Sequence, residues 1–127
     1  MGAAGLALAS CGESDAALTK EGLPRYAYRS EPALASYRYA VAAPALLAQL
    51  PCYCGCGKLE GFENLRDCFI SAAGDFNAHG ANCQTCIDEA LDAKKLQAQS
   101  LPMAQIRRVI DETYRGRGTP TNTPPVE

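Results

Sequence analysis

The stretch NCQTCIDEALDAKKLQAQSLPMAQIRRVIDETYRG, residues 82–116, decides the fold class of this 127-residue chain. Asn82 suits the N-cap of a helix whose apolar residues recur every three or four positions from Cys83 onward. Ser100 can cap a second helix, on which five residues share one face: Met103, Ile106, Val109, Ile110 and Tyr114. Two adjacent amphipathic helices predict a helical bundle.

The chain before this stretch continues the helical pattern. Ser30 is a good N-cap for a first helix, which Pro44 should kink or break because proline lacks the N–H that the helix needs. A second short helix from Pro44 ends at Pro51, and another is predicted over residues 62–73, followed by a loop over 74–82. No alternating strand pattern occurs, so we predict an all-α fold, a small three- or four-helix bundle around a cysteine cluster.

The composition divides the chain into one domain with three flanking segments. We expect a signal remnant and lipobox over residues 1–11, a disordered polar tether over 12–29, a cysteine-rich helical domain over 30–115 and a disordered Pro/Thr-rich tail over 116–127. A domain of this size has a marginal hydrophobic core and usually needs disulfides or a metal in addition.

The N-terminus resembles the end of a bacterial lipoprotein signal. The run Leu8-Ala9-Ser10-Cys11 has the lipobox order of a branched apolar residue, two small residues and the cysteine that receives the lipid. Because the usual basic opening segment is missing, we expect the signal peptide to begin upstream of Met1. Lipidation of Cys11 would anchor an extracytoplasmic protein to the cell membrane and would leave six of the seven cysteines for the domain.

Three of these six cysteines lie in the short segment PCYCGCG, residues 51–57. Gly55 and Gly57 allow the backbone to curl and bring the three sulfurs together. A disulfide between cysteines separated by one residue closes a strained ring, so this turn suits a metal centre better than internal disulfides. Tyr53, inside the turn, either shields the sulfurs from solvent or packs elsewhere.

The remaining cysteines are predicted to face the same core. Cys83 and Cys86 are three residues apart at a helix N-terminus, where they share a face and the helix dipole favours thiolate. Cys68 lies on its own short helix, and His79 precedes Cys83 by four residues. The predicted metal ligands are therefore Cys52, Cys54, Cys56, Cys68, Cys83 and Cys86, with His79 as an addition.

Four segments together resemble the PCYCGC-motif family of bacterial lipoproteins. They are PCYCGCG at 51–57, LRDCFI at 65–70, the stretch from His79 to Cys86 and the segment 106–111, within a similarity over about residues 37–114. The resemblance implies a lipobox, a helical body, a polar tail and an association with metal binding. The family is largely uncharacterised and implies no established activity. Its members are similar in having a histidine where this chain has Phe62.

The donor set favours a soft metal ion. Thiolates with one imidazole select Cu(I) or zinc over magnesium or calcium, and six thiols exceed the four donors of one zinc ion, so we favour Cu(I) and keep zinc as a second choice. An iron–sulfur cluster is disfavoured because the spacing matches neither ferredoxin pattern. The predicted function is sequestering or handing over this ion at the membrane surface.

Two alternatives belong to other functional classes. Exported cysteines commonly pair, so the protein could be a disulfide-stabilised structural or interaction lipoprotein. Cys83-Gln84-Thr85-Cys86 at a helix start also resembles a thiol–disulfide exchange site, although no βαβ pattern surrounds it. No catalytic residues are assigned, and the sequence leans away from an enzyme.

Charge and hydropathy limit the partners. A net charge of −2 argues against nucleic acid, and Arg107-Arg108 is predicted to be a solvated helix face. The expected partners are the membrane, through the lipid anchor, and an envelope metal-handling or redox protein.

Overall fold

The computed structural model describes residues 14–127, so the predicted signal remnant and Cys11 lie outside the described residues. This part of the chain contains α-helices and 3-10 helices and no strand, which confirms the all-α class. None of its helices is long and apolar enough to cross a bilayer. Three helices of 12, 15 and 12 residues carry the architecture.

The elements follow one another with short connections. In chain order they are a 3-10 helix Arg25–Arg29, α1 Glu31–Ala42, α2 Pro44–Leu47, α3 Gly57–Glu60, a second 3-10 helix Leu65–Cys68, α4 His79–Asn82, α5 Gln84–Ala98 and α6 Met103–Tyr114. Helix α5 packs against α1 on one side and against α6 on the other.

The start and end of α1 confirm what the local sequence predicts. The Ser30 hydroxyl accepts a hydrogen bond from the Ala33 N–H at 3.1 Å, as an N-cap should. The helix ends at Ala42 and α2 begins at Pro44. The break follows from the missing proline N–H and from the clash of its ring with the preceding turn.

Other helix boundaries differ from the prediction. Asn82 is the last residue of α4, inside the predicted loop, and Cys83 rather than Asn82 occupies the N-cap of α5. Ser100 does not cap α6; its φ is 61°, and the helix starts after Pro102. Proline restricts the residue before it to extended backbone, which delays the start of the helix.

The helix predicted over residues 62–73 is much shorter than expected. Only the 3-10 helix Leu65–Cys68 forms there, capped by the Asn64 side chain, which accepts from the Asp67 N–H at 3.2 Å. The chain then turns back, and Ile70 forms an isolated antiparallel bridge with Phe76. Cys68 is the last residue of this 3-10 helix, and the turn that follows places it close to α4.

Tyr37 of α1 forms the centre of the core beside this turn. Its ring meets the Phe69 ring edge to face at a centroid distance of 5.1 Å. Its hydroxyl donates to the Asn77 carbonyl and accepts from the Ala81 N–H at 3.1 Å. Gly80 allows the close approach, because a Cβ there would overlap the Phe69 ring and lie 2.8 Å from the Cys68 carbonyl oxygen. Helix α4 is thereby held against the Cys68 segment.

The segment before Ser30 is not a free tether. Residues Leu23, Tyr26 and Ala27 are buried in the core. The backbone turns on itself, with the Arg25 N–H donating to the Ala17 carbonyl at 3.0 Å. The prediction of a disordered tether is therefore wrong for residues 14–29, since their apolar side chains fill a face of the bundle.

The C-terminal segment also differs from the predicted disordered tail. It forms no helix, but Thr121 and Thr123 are buried against the body. The Thr121 N–H donates to the Cys52 carbonyl at 3.0 Å, and the Cys52 N–H donates to the Thr121 hydroxyl at 2.9 Å. The Thr123 hydroxyl donates to the Glu63 carbonyl at 2.6 Å. These bonds order an otherwise weakly apolar segment.

Candidate metal centre

The site begins in the turn between α2 and α3. Gly55 has a φ of +82°, a left-handed backbone conformation that is strained for residues with a side chain. This glycine lets the chain reverse between Cys54 and Cys56. The Cys52 and Cys54 sulfurs lie 3.3 Å apart. The Cys56 N–H donates to the Cys54 sulfur at 3.4 Å. The predicted curl of the CxCxC segment is therefore present for the first two sulfurs.

Two cysteines from other elements complete a first set of donors. The Cys52 sulfur is 3.3 Å from the sulfur of Cys68, at the end of its 3-10 helix, and 3.3 Å from that of Cys86, in the first turn of α5. The sulfurs of Cys52, Cys54, Cys68 and Cys86 all lie within 4.8 Å of one another. Three of these residues are buried, and Cys54 is half-buried.

A second set of donors overlaps the first. It consists of Cys54, His79, Cys83 and Cys86, whose ligand atoms also lie within 4.8 Å of one another. The Nε2 atom of His79, the first residue of α4, is 3.6 Å from the Cys54 sulfur. The Phe62 ring packs edge-on against the His79 ring at a centroid distance of 5.2 Å. Phe62 thus covers one side of the His79 imidazole.

The spacing suits thiolates around a metal ion. In a tetrahedral site with Zn–S bonds of about 2.3 Å, two sulfurs lie about 3.8 Å apart. The separations of 3.3 Å and up to 4.8 Å enclose that value. A disulfide needs about 2.05 Å between sulfurs. The six cysteines within residues 14–127 are free, and none is at disulfide distance from another.

The protonation of the cluster is uneven. The pKa of the Cys52 thiol is strongly lowered, because neighbouring S–H groups stabilise its thiolate; in decreasing order of effect these belong to Cys54, Cys68 and Cys86. The contact with the Cys52 sulfur raises the pKa values of Cys68 and Cys86, whose protons are held by that thiolate. Cys68 and Cys86 keep their protons until a cation displaces them, which couples metal binding to proton release.

Cys56 is the one predicted cysteine ligand that belongs to neither set of donors. Its sulfur approaches the Cys54 carbonyl at 3.8 Å. Burial, together with the nearby Cys54, raises the pKa of its thiol to about 12. The structure brings together the other five predicted cysteines and His79.

Sequence reasoning missed Glu89 beneath the cluster. Its side chain is fully buried, and its Oε1 accepts the Tyr53 N–H at 2.6 Å, inside the CxC turn. The Oε2 atom has no hydrogen-bond partner. Burial, followed by the negative charge of Cys52, raises the pKa of this carboxyl to about 10, so the group is neutral at pH 7. Its position three residues after Cys86 was the available signal, because the two share a helix face.

The Tyr53 side chain points away from the sulfurs and attaches the turn to α6. Its hydroxyl donates to Asp111 at 2.7 Å, and its ring stacks on Tyr114 at a centroid distance of 6.4 Å. Arg107 pairs with Asp111 at 2.9 Å and donates to the Thr123 carbonyl at 3.2 Å. Arg107 is therefore a structural link to the C-terminal segment rather than the predicted solvated residue.

These features define a small helical protein with a preassembled cluster of cysteine thiols and one imidazole. The sequence matches, over residues 6–126, the family described as "protein of unknown function with PCYCGC motif". The chain belongs to this family, as its motif segments predict. No curated protein and no solved structure matches it.

Proposed function

We propose that this protein is a membrane-anchored, extracytoplasmic thiolate protein that sequesters or hands over a soft metal ion, with Cu(I) favoured over zinc. The observation that carries the proposal is the group of unpaired, mostly buried thiols whose sulfurs lie 3.3 Å from a common Cys52 sulfur. Burying a polar or charged group costs free energy unless the group has a partner. For a group of thiolates, the preferred partner is a soft metal cation.

The chemistry of the donors supports a soft ion rather than a hard one. Each set contains at least three sulfurs, and the imidazole of His79 is the only nitrogen donor in either set. Cu(I) accepts such ligands in low coordination numbers, and zinc accepts four of them. Cys83 occupies the N-cap of α5 and Cys86 lies in its first turn, so the positive end of the helix dipole lies beside two of the proposed ligands.

A thiol count beside elemental analysis tests the metal proposal. The full chain carrying Cys11→Ser is prepared without oxygen, and thiols are titrated with and without reductant and chelator. We expect six free thiols, of which the five in the two donor sets react only after chelation, with stoichiometric copper taken up in preference to zinc. Absence of bound metal together with three disulfides by mass would overturn the proposal in favour of a disulfide-stabilised scaffold.

A matched pair of cysteine variants makes the same test specific to the site. Cys54→Ser removes a sulfur that belongs to both donor sets, whereas Cys56→Ser removes one that belongs to neither. We expect Cys54→Ser to lower the metal stoichiometry while most of the helical circular dichroism is kept, and Cys56→Ser to change neither. Equal metal content in the two variants would contradict the proposed ligands.

The membrane location is supported by the lipobox-like run that ends at Cys11. We expect the protein, expressed with its complete export signal, to incorporate an alkyne-labelled fatty acid and to sediment with membranes. Cys11→Ala should abolish the label and release the protein or leave it unprocessed, and Cys56→Ser serves as the cysteine control. A soluble, unlabelled wild-type protein would contradict lipid anchoring but not metal binding.

A further inference from the structure

The two donor sets have two members in common, Cys54 and Cys86. Two sets of four with two shared members contain six donors: Cys52, Cys54, Cys68, Cys86, Cys83 and His79. A single tetrahedral ion uses four donors and would leave two of these groups without a metal bond. Two tetrahedra that share one edge require six donors, which is the number present.

We infer that the cluster holds two metal ions bridged by the thiolates of Cys54 and Cys86, an inference that rests on the proposed metal-binding function. Cys52 and Cys68 complete the coordination of the inner ion. Cys83 and His79 complete that of the outer ion.

The identity of the shared residues agrees with bridging. A thiolate sulfur has several lone pairs and can bind two ions, whereas an imidazole nitrogen has one and binds a single ion. Both shared residues are cysteines, and His79 belongs to one set alone. Both shared sulfurs are attached to backbone that is held in place. Cys54 follows Tyr53, whose N–H donates to Glu89, and Cys86 lies within the first turn of α5.

The charges favour two ions over one. The five cysteines of the cluster carry five negative charges when all are thiolates, and His79 is a neutral ligand. One Cu(I) ion would leave four of these charges uncompensated in a largely buried site, and a second would leave three. One zinc ion would leave three, and a second would leave one. Buried charge without a counterion is costly, so binding of the first ion leaves a site that attracts a second.

Burial distinguishes the two positions. Cys52, Cys68 and Cys86 are buried, whereas Cys54 and Cys83 are half-buried. His79 is also half-buried. The inner ion is therefore enclosed by protein, and the outer ion lies where solvent or a partner can reach it.

Cd(II), a soft ion that accepts tetrahedral thiolate coordination, is the probe for this arrangement. The full chain carrying Cys11→Ser is titrated with ¹¹³Cd(II) and measured by native mass spectrometry and by ¹¹³Cd NMR. We expect two ions per chain and two cadmium resonances. Both resonances should couple to the Hβ protons of the shared residues Cys54 and Cys86, and only one should couple to the His79 ring.

Variants separate bridging from terminal ligands. His79→Ala should reduce the stoichiometry from two ions to one and remove the resonance of the outer ion. Cys86→Ser should weaken both sites together, and Cys56→Ser should keep two ions. Because Cys86 is buried and its variant could misfold, the His79→Ala result decides on its own, with circular dichroism as a check of folding.

The outcomes distinguish this inference from the proposed function. One ion per wild-type chain, or two ions with no cysteine common to both, overturns the bridged pair and leaves metal binding intact. If the wild-type chain binds neither Cd(II) nor Cu(I) under reducing conditions, both the bridged pair and the proposed function are overturned.

Discussion

Glu89→Ala should lower the free energy of unfolding by about 2–4 kcal/mol and loosen the CxC turn. The substitution removes the carboxyl oxygen Oε1 that accepts a hydrogen bond from the buried Tyr53 N–H at 2.6 Å. An unsatisfied buried donor costs about 1–3 kcal/mol, and the cavity left by the side chain adds to this. Urea unfolding at pH 4.5, where the Glu89 contribution to stability is still nearly full, measures the loss in the presence of reductant and chelator.

Glu89→Gln is the matched control, and it carries a pH dependence. The pKa of Glu89 is about 10 in the folded protein against 4.5 for an ordinary glutamate, so the folded state binds one more proton between these values. The Glu89 contribution to stability is therefore full below pH 4.5 and is lost as the pH rises towards 10, by up to about 1.4 kcal/mol per pH unit. Glutamine accepts the same hydrogen bond and does not titrate.

The comparison is made by urea unfolding at several pH values from 5 to 8. We expect the wild type to lose stability relative to Glu89→Gln as the pH rises, so that the glutamine variant gains most at the alkaline end. Parallel stability curves for the two proteins would show that Glu89 is ionised in the folded state. A Glu89→Ala variant as stable as the wild type would show that the hydrogen bond to Tyr53 contributes little.

Removal of residues 119–127 should also destabilise the protein by about 2–4 kcal/mol. The deletion takes away the two bonds between Thr121 and the Cys52 backbone, and the bond from Thr123 to the Glu63 carbonyl. Each bond contributes about 1 kcal/mol, and a buried backbone group left without a partner costs more. Cys52 is only 1% exposed in the intact protein, and the deletion loosens the backbone that keeps it buried. Its thiol should therefore react faster with an alkylating reagent in the shortened protein than in the wild type.

A shorter deletion provides the control. Removal of residues 125–127 keeps both threonines and keeps the Pro124 carbonyl, which accepts from Arg107 at 2.6 Å. We expect this protein to match the wild type in urea unfolding and in alkylation rate. If the two truncated proteins behave alike, the C-terminal segment does not support the CxC turn.

The sequence predicted the features that depend on local chemistry. The Ser30 cap and the break at Pro44 involve bonds within one helical turn, which neighbouring residues determine. The convergence of Cys52, Cys68 and Cys86 was also predicted, since short helices with an apolar face must turn their cysteines towards one core. The all-α class followed from the same periodicity.

The missed features depend on partners far apart in the chain. The C-terminal segment is ordered by hydrogen bonds between Thr121 and Cys52, 69 residues apart, and its Pro/Thr-rich composition gives no sign of them. Glu89 has the polarity of a surface residue, and only the Tyr53 N–H above it explains its burial. Arg107 likewise finds its acceptors in the C-terminal segment, so composition alone assigned it to solvent.

The packing of the N-terminal segment has a consequence for the distance between the body and a bilayer. Ser14, only three residues after Cys11, is already bonded to the body's N-terminal turn, since its carbonyl accepts from the Ala17 N–H at 3.0 Å. Three residues span at most about 11 Å, less than the thickness of a small domain. With a lipid on Cys11, the body would therefore rest at the headgroups instead of standing off on a long stalk. A partner that exchanges metal with it would have to meet it at the membrane surface.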